Sequence, residues 1–133
     1  MKTIKELQEQ AHNTAVNKGF WEKLCESCQG TGIVSYSTKT SKLRTKKCPT
    51  CEGKKVMPLD RNNAELVMLM VTELGEAVEG IRKDDWSNVA EEMADTVIRI
   101  MDFCEARGIN LQQAILMKME KNKVREYKHG KKF

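Results

Sequence analysis

The sequence predicts an all-α protein, four amphipathic helices interrupted after the first by a small β-rich segment. Three observations predict it. Apolar residues recur at helical spacing over four separate stretches. Aromatic residues make up only 5% of the chain while methionine numbers 8, the composition of an aliphatic helical core. Residues 22–57 break the pattern, collecting four of the five cysteines and most of the serine and threonine.

Taken in order, residues 3–20 read as the first helix, with Ile4, Leu7, Ala11, Ala15 and Val16 on one stripe and Gly19 at its end. Within the next segment Ile33–Thr38 is β-prone, and Lys42–Lys46 is its hairpin partner across Lys39, Thr40 and Ser41. Pro58 closes the segment. Asp60 or Asn62/Asn63 then caps a long second helix to about Lys83, striped by Leu66, Met70, Leu74, Val78 and Ile81. Asp84/Asp85 cap a third helix from Trp86 to about Arg107, striped by Val89, Met93, Val97, Ile100 or Met101, and Cys104, with Gly108 as its stop. A fourth runs from Leu111 through Ile115 and Met119 toward Arg125, and the tail from Tyr127 has no periodicity. The expected organisation is a helical domain of residues 1–21 and 58–133, with residues 22–57 inserted into it.

At 133 residues the chain has room for one modest core and a small appendage. No apolar run is long enough to span a membrane, and Met1–Gln10 lacks a signal-peptide stretch. The expectation is a cytoplasmic protein with no membrane partner. The net charge of +4 is unevenly distributed. Residues 1–60 carry eleven Lys/Arg against six Asp/Glu, residues 61–116 five against eleven, and residues 117–133 seven against two. An acidic middle between basic flanks suits a site that holds cations with carboxylates and an anionic ligand with basic groups, although solvated helix faces would give the same count.

Four cysteines form two Cys-x-x-Cys pairs, Cys25/Cys28 and Cys48/Cys51, nineteen residues apart. A cytoplasmic chain argues against a disulfide framework. Each pair can grip one metal from a tight turn, and the glycines that follow allow backbone N–H groups to face the thiolates. The spacing is that of a four-cysteine Zn²⁺ site, structural because thiolates fill the coordination sphere. A redox pair or an iron–sulfur cluster is the alternative use of these residues. Cys104, alone among Ile98, Ile100 and Met101, reads as a small core residue. The knuckles resemble the Cys-x-x-Cys-x-Gly-x-Gly motifs of the DnaJ cysteine-rich domain. The second has Lys55 in place of the second glycine, and there are two knuckles rather than four, so no chaperone role is implied.

Glu73 and Glu76 stand three residues apart on the second helix, and Glu92 and Asp95 repeat the spacing on the third. A short connection makes these helices antiparallel neighbours, so both pairs can converge. Four facing carboxylates repel unless cations lie between them, and hard oxygen ligands suit Mg²⁺. Two such ions can clamp a triphosphate and activate a water. One acid pair on an exposed helix would say little. Here Glu73 and Asp95 adjoin the apolar positions Met70, Leu74, Ala94 and Ile98, where an unpaired carboxylate is costly. Glu79, Glu91 and Asp102 read as surface or supporting charges.

The pattern Glu73-x-x-Glu76, spacer, Glu92-x-x-Asp95 resembles that of the MazG-like all-α nucleoside triphosphate pyrophosphohydrolases, relatives of the dimeric dUTPases. The resemblance extends to Ala15–Trp21, to Lys118–Arg125 and to the His-Gly-Lys-Lys-Phe tail. It implies a four-helix bundle, Mg²⁺ held by Glu73, Glu76, Glu92 and Asp95, and hydrolysis of a nucleoside triphosphate to monophosphate and pyrophosphate. It also implies a homodimer or homotetramer. Lys118, Lys121, Asn122 and Arg125 share one face of the fourth helix and are candidate phosphate contacts. His12, Trp21 and Trp86 are candidate base or sugar contacts that also read as packing residues. The competing reading is a zinc-knuckle module on a helical scaffold, gripping nucleic acid or a protein partner through Lys39, Lys42, Arg44, Lys46 and Lys47.

Overall fold

A computed structural model of the chain describes residues 1–38 and 40–126. The hairpin-turn residue Lys39 and the segment 127–133, with its His-Gly-Lys-Lys-Phe run, lie outside the described residues. The chain divides into two compact units, residues 1–14 with 63–133, and residues 15–62.

The first unit is helical. It contains α1 (Ile4–Asn17) over its first eleven residues, α2 (Asn63–Arg82), α3 (Trp86–Ala106) and α4 (Leu111–Lys123). Helix starts follow local chemistry. The Asp85 carboxylate accepts from Asn88 N–H at 3.0 Å, and Asn110 accepts from Gln113 N–H at 3.0 Å, each satisfying an amide that has no partner within its helix. Between α2 and α3 the chain reverses through Asp84, which takes φ 55°, a left-handed conformation that aspartate tolerates. The reversal lays the two helices antiparallel and close together. Gly80 allows this, because a Cβ there would lie 2.8 Å from Asn88 Oδ1 and 2.9 Å from Val89 Cγ2. At the far end Arg107 donates to the Asn63 side chain at 2.6 Å.

α1 is tied on by a buried glutamine. The Gln8 amide donates to Glu105 at 2.7 Å and to the Ile109 carbonyl at 2.9 Å, and accepts from Leu111 N–H at 3.2 Å. His12 Nδ1 meets Asp102 at 2.7 Å.

The buried faces differ from the apolar stripes read off the sequence. On α2 the buried residues are Leu66, Glu73, Ala77 and Gly80, and on α3 they are Glu92, Thr96 and Cys104. Leu74, Val78, Ile81, Met93 and Val97, expected inside, are each more than two-fifths exposed. The reason is a neighbouring stripe of the same 3.6-residue period, made of small and acidic residues, which permits the closer approach of two helices. The displaced apolar stripe faces outward. Cys104 is buried as expected.

The second unit is built twice over. β1 (Glu22–Leu24) leads into the first knuckle and β2 (Ile33–Ser37) leaves it, while β3 (Leu43–Lys47) leads into the second and β4 (Val56–Pro58) leaves it. β2 pairs antiparallel with β3, Tyr36 standing opposite Arg44, and β1 pairs antiparallel with β4, Lys23 opposite Met57. The repeat thus extends from the knuckles to their flanking strands. Two reciprocal bonds clasp the halves, Cys25 N–H to Lys55 O and Cys48 N–H to Gly32 O, both at 2.9 Å. Gly32 and Lys55 are equivalent positions, and both take positive φ, 79° and 73°. Gly32 must be glycine, since a Cβ would lie 2.9 Å from Gly53 O. Lys55 has no such obstruction and carries only the left-handed strain, about 1–2 kcal/mol.

Candidate active site and candidate metal centre

The turn at Asp84 brings Glu73 level with Asp95 across the α2–α3 pair, and Glu76 level with Glu92. Carboxylate oxygens of Glu73, Glu92 and Asp95 all lie within 4.8 Å of one another. Around a single Mg²⁺ at ~2.1 Å, neighbouring oxygens stand about 3.0 Å apart and opposite ones about 4.2 Å, so the three must draw together to share an ion. Glu73 and Glu92 are buried and Asp95 is exposed. Glu76 is exposed and stands outside this trio, yet its charge is felt at Glu92.

Glu92 titrates above the ordinary carboxylate range. Burial is the main cause, the Asn88 amide opposes it, and the charges of Glu76 and Glu73 add to it. Asn88 Nδ2 donates to Glu92 Oε1 at 3.0 Å, fixing the direction of that carboxylate. Thr96 Oγ1 bonds back to the Glu92 carbonyl at 3.0 Å.

Sequence reading missed Asn88 and, with it, Arg99. The Arg99 guanidinium meets Glu73 Oε1 at 2.7 Å and occupies the flank of the carboxylate cluster with a positive charge. A signal was present: Asn88, Glu92, Asp95 and Arg99 follow one another at three- and four-residue steps along one face of α3.

The other candidate residues lie apart from this trio or have their own partners. Lys118, Lys121, Asn122 and Arg125 are all exposed, on or just beyond an α4 that has no buried residue. His12 is engaged with Asp102. Trp86 donates from its indole to Asp84 at 2.8 Å and helps close the α2–α3 turn. Trp21 is half-buried beside the strands of the second unit, its carbonyl accepting from Leu59 N–H at 2.9 Å.

In the second unit Cys25, Cys28, Cys48 and Cys51 are buried, carry no disulfide, and have all four sulfurs within 4.8 Å of one another. The Cys25–Cys48 and Cys28–Cys51 sulfurs stand 3.8 and 3.7 Å apart. Four thiolates at ~2.3 Å from a tetrahedral centre have edges of about 3.8 Å, so the cluster has the dimensions of a four-sulfur metal site. Backbone amides prepare it for anions. The Cys51 N–H, with help from Thr50, pulls Cys48 down to about 6 against its burial. At Cys28 burial pushes upward, but the Gly32 N–H at 3.3 Å and the neighbouring thiols hold the group below its ordinary value. Burial pushes Cys25 up to about 11. Val34 and Met57 pack against the quartet, and no other buried core exists in this unit among the described residues.

No helix of the described residues is long and apolar enough to cross a membrane. Comparison with known proteins gives two matches to family profiles, the SCO2 C-terminal domain over residues 17–58 and the MazG nucleotide pyrophosphohydrolase domain over residues 61–129. No curated protein and no solved structure matches the chain. The second profile spans more than half of the chain and contains the whole carboxylate cluster with Asn88 and Arg99. The chain belongs to the MazG nucleotide pyrophosphohydrolase family.

Proposed function

We propose that the protein is a Mg²⁺-dependent nucleoside triphosphate pyrophosphohydrolase, cleaving between the α- and β-phosphates to release a nucleoside monophosphate and pyrophosphate. The observation that carries this reading is the burial of Glu73 and Glu92 against each other and Asp95, a repulsive arrangement that a cation would relieve. Magnesium, when bound there, supplies charge neutralisation of the phosphates and an acidified water. Glu73, Glu92 and Asp95 hold it, with Glu76 the fourth ligand from its exposed position. Asn88 orients Glu92. Lys118, Lys121, Asn122 and Arg125 present donors for phosphate oxygens, the arginine in a bidentate fork and the lysines as point charges.

The domain organisation follows, with residues 1–21 and 58–133 as catalytic domain and residues 22–57 as insert. In the insert Cys25, Cys28, Cys48 and Cys51 hold a structural Zn²⁺, because four thiolates leave no position open for a substrate. The helical unit works as a homo-oligomer. Among its described residues the only buried apolar ones are Leu66, Ala77 and Cys104, too small a core for a helical domain, while Val67, Val71, Leu74 and Val78 of α2 stay exposed. A second copy covers that face.

The test is a panel of ribo- and deoxyribonucleoside triphosphates assayed for pyrophosphate release with Mg²⁺. Asp95→Asn is expected to lower turnover about 100-fold or more. Release of orthophosphate instead, or normal turnover by the variant, removes the assignment. A purely binding scaffold, the competing reading, predicts no hydrolysis with any nucleotide.

A further inference from the structure

The β2–β3 hairpin has a feature that neither the metal centre nor the hydrolytic site uses. From Ser27 to Cys51 the sequence contains no acidic residue and five cations. The unit of residues 15–62 carries ten Lys/Arg against four Asp/Glu, whereas the remainder of the chain carries thirteen against fifteen. Among the described residues none of Lys42, Arg44, Lys46 and Lys47 has an ion-pair partner.

Nor does the hairpin serve packing. Every residue of β3 is exposed, and in β2 only Val34 is partly buried, where it meets the cysteine quartet. The quartet holds the base of the hairpin, so the rest projects as a ribbon of fixed register. In that register Val34 opposes Lys46 and Tyr36 opposes Arg44, which puts all four on one face. Lys46 Nζ lies 5.4 Å from the centroid of the Tyr36 ring, and Tyr36 remains 40% exposed. An aromatic plane facing two cations, with Lys42 just before β3, is the chemistry that stacks a base and pairs the phosphates beside it.

We propose that this hairpin is a binding face for single-stranded nucleic acid. An acidic peptide would be attracted by the cations but has no use for the ring. A duplex keeps its bases stacked on one another and away from it. The ribbon is about 14 Å long, matching the short end of single-strand site sizes, about 4 nucleotides. The proposal is independent of the hydrolytic reading, since none of these residues belongs to the carboxylate cluster or to the cysteine quartet.

The experiment uses the full zinc-loaded chain without nucleoside triphosphate, and fluorescence anisotropy of a labelled oligonucleotide of about 15 nucleotides. Three phosphate contacts, from Lys42, Arg44 and Lys46, predict a salt slope near −2.1, hence about 18-fold weaker binding at ~200 mM than at ~50 mM salt. Arg44→Gln with Lys46→Gln should cut that slope to about a third, leaving about a 2.6-fold change over the same range. Tyr36→Leu should weaken binding about tenfold with the slope unchanged. Zinc content checks that each variant keeps its fold. A salt slope unchanged in the double variant overturns the proposal. So does binding to a duplex that is equal or tighter, or a preference for poly-glutamate over the oligonucleotide.

Discussion

Glu92 and Arg99 show what the carboxylate cluster costs and how the fold meets it. A carboxylate whose pKa is raised in the fold penalises the folded state once it ionises. For Glu92 there is no penalty below the unfolded value near 4.5; it grows as pH rises through 4.5 toward the folded pKa, and is complete above it. Glu92→Gln keeps an oxygen for the Asn88 amide and removes the charge. In chelator at pH 7 it is expected to melt at the same or a higher temperature than the parent, the difference closing as pH falls to 4.5. A lower melting temperature at both pH values would make Glu92 a structural hydrogen-bond partner and no more. Arg99 pairs with Glu73, where the proposed metal would bind. Arg99→Leu should lower the stability of the metal-free protein and raise its affinity for Mg²⁺ about fivefold, or ~1 kcal/mol, since no ion pair must break first. Calorimetric titration with Mg²⁺ measures this directly, and a weaker or unchanged affinity would count against it.

Among the elements, the helices were legible because their ends carry side chains with a specific local task. Asp85 and Asn110 cap, Gly108 stops, and the observed bounds lie within three residues of those read from sequence. The hairpin was legible from the β-prone run Ile33–Thr38 and its partner Lys42–Lys46. β1 and β4 were not, since three-residue strands with exposed or half-buried side chains leave no alternation to detect. The inner face of α2 was missed for a different reason: hydrophobicity pointed to Leu74 and Val78, while the close approach at Gly80 selected Glu73 and Ala77. Three of the four candidate acids converge, and Arg99 escaped notice because a basic residue was not sought inside an acidic cluster. The second unit makes its own prediction. With only Val34 and Met57 around the cysteines, the zinc proposed above would be the core, and its removal would take away the folding energy. Chelation, or Cys51→Ser, is expected to release about one zinc per chain and disorder residues 22–57, while the helical circular dichroism largely survives. A cooperative loss of all helix on chelation would contradict that.

For the whole molecule, the exposed apolar stripe supports the assembly proposed above. Leu74, Val78 and Ile81 on α2, and Met93 and Val97 on α3, each lose about 1 kcal/mol of transfer free energy while they face water. Covering them on a second copy recovers it for both copies at once. Sedimentation at micromolar concentration should therefore show a dimer or tetramer, and Val78→Asp should shift it toward monomer with loss of helical stability. A fully active monomer at that concentration would refute the assembly. Charge works against packing elsewhere on the chain: the cationic hairpin repels its counterpart on another copy, so association through that surface is disfavoured at low salt.

The pairing of β1 with β4 has a consequence for how such a chain arose and how it can be edited. Glu22–Leu24 and Val56–Pro58 run side by side in register, Leu24 opposite Val56, with Leu59 N–H to Trp21 O at 2.9 Å continuing the ladder. Everything between leaves and re-enters across a gap of about 5 Å, the width of one strand pair. To the rest of the chain the whole cysteine module is therefore topologically equivalent to a hairpin turn, a cassette that recombination can add or remove without changing where the flanking segments lie. Replacing residues 25–55 by Asn-Gly, a two-residue turn suited to antiparallel strands, should give a shorter protein that retains its helical content and its nucleotide hydrolysis and has lost zinc.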